Sequence, residues 1–111
     1  MATEEPTRFV VATPQRLLDY FRRWAGQAAT AGVLSEFIAA LKDANRRMEM
    51  APHGWGDLLR EYPGLNAVKR RGLIPGWFLV WYGVDDNAHH VIVLDLLPAP
   101  GSPLTDTPSD G

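Results

Sequence analysis

Apolar positions fall with a helical period in the first half of the chain and in strand-like runs in the second. Arg8-Phe-Val-Val-Ala12 is a short apolar run that predicts a first strand. Thr13-Pro14 predicts a helix start, because the threonine hydroxyl suits an N-cap and proline suits the first helical position. Leu17, Leu18, Phe21 and Trp24 then make one amphipathic stripe, with Gly26 as its expected end. Leu34, Phe37, Ile38, Leu41 and Met48 make a second stripe, in a helix expected from about Ala31 to Met50 and stopped by Pro52 and Gly54. The link between the two is short, which predicts an antiparallel helix hairpin.

Residues 52–64 show no clear period. They read as a packed connector, with one helical turn around Asp57 to Glu61 and with Trp55, Leu58, Leu59 and Tyr62 docked on the core. Leu65 to Ile74 reads as a strand whose middle is the basic run Lys69-Arg70-Arg71, and Pro75-Gly76 reads as a turn. Phe78 to Val84 is apolar on both faces: Phe78, Val80 and Tyr82 on one, Trp77, Leu79 and Trp81 on the other. Such a strand is expected in the middle of a sheet, covered on both sides. Asp85-Asp86-Asn87 suits a tight turn. His90 to Leu97 is a second apolar strand, with Asp95 on the face of Val91 and Val93. The pattern predicts an α+β domain over residues 8–98. Its order is an N-terminal strand, a two-helix hairpin and a three-strand antiparallel meander. Residues 1–7 read as a flexible N-terminus, and 99–111, rich in Pro, Gly and Ser, as a disordered tail.

Composition narrows the chemistry. The chain has 111 residues and a net charge of −2, enough for one domain with a modest core. It has no cysteine, which excludes disulfides, a thiol nucleophile and a Cys-based metal site and suits a cytoplasmic location. No apolar run nears the roughly 18 residues of a membrane span. The charge is uneven: all 11 Lys and Arg precede Gly72, while Asp85, Asp86, Asp95, Asp106 and Asp110 follow it. A basic face can therefore come only from the first two thirds of the chain.

The element order, with a basic strand followed by Gly76-Trp-Phe-Leu-Val-Trp-Tyr82, an acidic turn and an apolar last strand, resembles the RelE/ParE toxin superfamily of bacterial type II toxin–antitoxin systems. The resemblance covers about residues 8–98. It implies one of two activities: mRNA cleavage in the ribosomal A site, as in RelE-like members, or inhibition of DNA gyrase, as in ParE-like members. It also implies neutralisation by an antitoxin, no cofactor and no metal. For a RelE-like, metal-independent endoribonuclease, it implies cations aimed at the charge developing on phosphate. Two of the family's basic positions fall at Lys69 and Arg71. The Arg expected at Phe78 is absent, and so is the basic residue expected from Pro98 to Gly101. The resemblance thus implies a toxin with weak or absent mRNA cleavage; the alternatives are a gyrase-inhibiting binder and a non-toxic interaction module.

Lys69 and Arg71 alternate with Arg70, so they share one sheet face and could meet one phosphate. The competing reading of all three is an edge-strand charge cluster that keeps the sheet soluble. Trp77, Trp81 and Tyr82 read chiefly as core; if one face stays open they become partner-binding candidates. His89 and His90, adjacent on a strand, point to opposite faces and make a poor metal pair.

Overall fold

The computed structural model describes residues 8–104. The segment 1–7 and the last part of the tail, 105–111, lie outside the described residues. The elements are β1 (Val10–Ala12), α1 (Gln15–Thr30), α2 (Leu34–Met50), the short α3 (Pro52–Trp55), β2 (Asp57–Tyr62), β3 (Ala67–Ile74), β4 (Phe78–Asp85) and β5 (His90–Pro98). The protein is α+β, as its pattern predicts. One five-stranded sheet runs in the order β1-β5-β4-β3-β2. β1 pairs with β5 in parallel, and every other pairing is antiparallel.

The helix boundaries shift from the expected ones for local reasons. Thr13 does not cap α1. The Pro14 carbonyl instead accepts the N–H groups of Leu17 and Leu18. Gly26 lies inside the helix, which ends where Gly32 takes a positive φ of 78° that other residues adopt only at a cost. The buried face of α2 is Phe37, Ala40, Ala44 and Met48. Leu34 and Ile38, expected on that face, are exposed. Small alanines let the helix approach its neighbours closely, so the face is set by shape as well as by hydropathy.

The helices cover only one side of the sheet. That inner side presents Ile74, Phe78, Val80, Tyr82, Val84, Val91, Val93 and Leu96, all buried. Phe78 stacks on Trp24 with ring centroids 5.7 Å apart, while Phe21 and Phe37 meet it edge-on. Such contacts add to the burial energy of the rings.

Three expectations need correction. Residues 57–62 form an edge strand rather than a helical turn, and Leu58 and Leu59 are exposed rather than docked. Pairing with β3 supplies the hydrogen bonds that this short, aperiodic segment could not signal on its own. The bulge in the β4–β5 pairing also changes a face. Trp81 pairs with Asp95 but Tyr82 with Val93, leaving Leu94 as the extra residue. Asp95 is thereby turned away from Val91 and Val93, and Leu96 takes the buried position. Finally, the tail does not leave the domain at residue 99. Ala99 is buried and its N–H donates to the Trp77 carbonyl, and Leu104, 3% exposed, sits in the core.

Candidate functional site

Strand alternation places the three consecutive cations of β3 in different settings. Arg70 points to the inner side, where its Nε and Nη2 donate to the carbonyl of Gly56. That contact belongs to a small polar cluster beneath α3. The Tyr82 hydroxyl donates to the Pro52 carbonyl at 2.6 Å and accepts the Gly56 N–H at 3.1 Å. Trp55 stacks on the Tyr82 ring at 5.6 Å, and the Arg47 guanidinium lies over Trp55. Burial pushes the Tyr82 phenol above its ordinary pKa, against the opposing pull of the Gly56 hydrogen bond and of Arg70. Gly72 belongs to the same packing, since a Cβ there would stand 2.6 Å from the Trp55 ring. Arg70 and Tyr82 therefore hold Pro52–Gly56 against the sheet. Neither is available to a partner, which removes both from the candidate surface.

Lys69 and Arg71 point to the outer side, as their alternation with Arg70 requires. They pair across β4 with Gly83 and Trp81. β2 brings a third cation, because Arg60 is the cross-strand partner of Lys69. Its guanidinium lies over the Tyr62 ring at 5.1 Å. Arg60 was hidden in the sequence because its segment carries no strand signature. With β2 in place, β3 is an interior strand, so the basic run is not an edge-strand device. Among the described residues Arg71 has one ion-pair partner, Asp57, at 3.8 Å, a separation and exposure at which an ion pair contributes little.

Apart from Asp95 and His90 on β5, the rest of the outer face is apolar, and nothing covers it among the described residues. Val10 is 62% exposed, Leu73 47%, Ile92 44% and Leu94 40%. Leu79, Trp81 and Leu97 are partly exposed between them, and the Leu94 side chain reaches over Gly83. Strand β4 is thus apolar on both faces but covered on one. Trp81 belongs to the open face, whereas Trp77, just before β4, packs on Phe37 at 5.7 Å and contributes to the core.

Asp95 stands beside Trp81 on this face, and several other titratable groups among the described residues lie elsewhere. His53 Nε2 meets Asp86 Oδ1 at 2.7 Å at the far end of the sheet, beside Phe9, which also contacts His89. The Asp85 carboxylate accepts the N–H groups of Asn87 and Ala88, which makes the tight turn its sequence predicts. Among the described residues no group of three or more His, Cys, Asp or Glu side chains could hold a metal ion. No described helix is long and apolar enough to cross a membrane.

The site is therefore an open sheet face with a cationic side, an apolar centre and Trp81 in the middle. No family model, no curated protein and no solved structure matches the chain. The chain is a small α+β domain whose sheet has one face uncovered among the described residues.

Proposed function

We propose that the chain works by binding a macromolecular partner through the outer face of its sheet, and that it is a toxin-type protein of the RelE/ParE kind, held by an antitoxin in the cytoplasm. The observation that carries the binding reading is the set Arg60, Lys69 and Arg71 beside Trp81 on an open apolar face. An apolar patch of this kind, rimmed by charge, is the usual form of an interaction site. The toxin reading rests on the order of elements and on the residues of the resemblance.

Within that reading, mRNA cleavage is weak or absent. Phe78, where the nuclease pattern has an arginine, is fully buried, and residues 98–101 hold no cation. A transition state with developing phosphate charge would meet only the cations of the β2–β3 side. A gyrase-binding toxin needs no such site and fits the same face.

Induced expression in a bacterial host tests the proposal. Growth should slow, and Lys69→Ala with Arg71→Ala should relieve the arrest. Purified protein should leave ribosome-bound mRNA intact, and supercoiling by gyrase reports the ParE-like branch. Harmless induction would reject the toxin reading and leave an interaction module. Efficient mRNA cutting that depends on Lys69 or Arg71 would reject the non-catalytic reading.

A further inference from the structure

An antiparallel sheet with one face in water normally alternates apolar-in with polar-out. The outer face here departs from that rule along β4 and β5 and at Leu73 of β3, and the charges beside its centre are of opposite sign on opposite sides. The central row across the three strands is Arg71, Trp81, Asp95. The next row towards the β3–β4 turn is Leu73, Leu79, Leu97. A cation stands one strand to one side of Trp81 and a carboxylate one strand to the other, at the same height.

This arrangement is self-complementary under one symmetry operation. A twofold axis parallel to β4, lying between two such faces, superposes β3 of one copy on β5 of the other. Arg71 then faces the other copy's Asp95, and Asp95 faces its Arg71. Leu73 meets Leu97, and Leu79 and Trp81 meet their own counterparts on the axis. Stacked sheets are offset by about 30°, which moves positions one strand from the axis by only about 3 Å. Arginine reaches across that distance. Both charges can re-pair: among the described residues, Arg71 is held only by the exposed Asp57 at 3.8 Å. Asp95 spends one oxygen on the Leu96 N–H, and its other oxygen has no partner among the described residues.

We infer that a second copy of this chain closes on the outer sheet face, forming a symmetric face-to-face dimer joined by two Arg71–Asp95 pairs around a Leu79–Trp81 centre. The inference rests on the reading of that face as a binding surface and names its occupant when no other partner is present. Five strands at about 4.8 Å spacing and about six residues at roughly 3.3 Å rise give a footprint on the order of 480 Å² per copy. Two such footprints lie near the lower limit for specific interfaces, which sets the expected dissociation constant in the micromolar range.

Charge reversal tests the geometry by sedimentation of the full chain. Wild type should show a reversible monomer–dimer equilibrium. Arg71→Glu alone places Glu against Asp95 twice, and Asp95→Arg alone places Arg against Arg71 twice. Each should weaken self-association at least about tenfold. A one-to-one mixture of the two variants restores opposite charges at both pairs and should recover a heterodimer. Wild type that stays monomeric into the millimolar range overturns the inference. So do single variants that dimerise as wild type does, or a mixture that fails to recover. Should Asp95→Arg lose its fold by circular dichroism, cross-linking decides. The chain has no cysteine, so Leu79→Cys supplies one thiol on the axis. Facing thiols on the axis lie well inside the roughly 10 Å between stacked sheets, so mild oxidation should link them as a disulfide dimer. Ile38→Cys, exposed on α2, should stay unlinked, and the reverse result overturns the inference. Sedimentation involves no cellular target, so a monomeric protein that still arrests growth sinks only the dimer. A dimer without growth effect sinks only the toxin reading.

Discussion

Along β4 the inner residues Phe78, Val80, Tyr82 and Val84 are all but inaccessible, while the alternate residues Leu79, Trp81 and Gly83 keep part of their surface in solvent. Both sets look alike in hydropathy. The inner set is filled by two helices, by α3 and by the returning tail through Leu104. The outer set has nothing over it among the described residues. The same division separates Arg70, which spends its donors on Gly56, from Arg71 next to it, which leans on an exposed carboxylate. Hydrophobicity alone does not say whether a residue supports the fold or a contact; what lies above it does.

Substitutions sharpen that comparison. The largest effect is expected at the aromatic centre. Phe78→Ala should cost about 3–5 kcal/mol in denaturant unfolding, since it leaves a void against Trp24, Phe21 and Phe37. Leu79→Ala, one residue along on the open face, should cost about 1 kcal/mol or less. Equal losses would mean that both faces are structural.

Next comes the polar cluster. Tyr82→Phe should cost about 1–3 kcal/mol, because it strands the Gly56 N–H and the Pro52 carbonyl in a buried place. The same residue carries a pH signature. Its neutral phenol is favoured in the fold, so above about pH 10 the unfolded chain loses this proton first. The tyrosine's contribution is complete below that pH and is lost as pH rises through the elevated folded value. Unfolding midpoints taken across that alkaline range should fall more steeply for wild type than for Tyr82→Phe.

The smallest effects on stability separate neighbouring cations. Arg70→Ala should cost about 1–2 kcal/mol, whereas Arg71→Ala and Lys69→Ala should stay within about 0.5 kcal/mol. Their consequence should appear in binding instead. A large stability loss at Lys69 or Arg71 would place them in the scaffold and remove them from the surface.

Much of this was legible from residue types. The two helical stripes, the Pro75-Gly76 turn, the Asx turn at Asp85 and the alternation of Lys69 and Arg71 with Arg70 all follow from local periods and turn chemistry. What escaped depends on partners distant in sequence. β2 is exposed along nearly its whole length, so it shows no apolar alternation, and Arg60 stayed unplaced with it. The bulge at Leu94 moves Asp95 to the other face by one inserted residue, which no period reveals. A two-sided apolar strand suggests two covers, yet alternation cannot tell a covered face from an open one. Leu104 reads as tail because its neighbours are Pro, Ser and Thr, yet burial in the core cluster is what places it.

The central claim is that the outer sheet face closes on a second copy of the chain while the inner face only holds the fold. A concentration series of backbone amide spectra tests it most directly. The account predicts progressive shifts at Arg71, Leu73, Leu79, Trp81, Asp95 and Leu97, with α1 and the exposed side of α2 unchanged. Spectra that do not move with concentration, or shifts confined to Leu34 and Ile38 on α2, would contradict it.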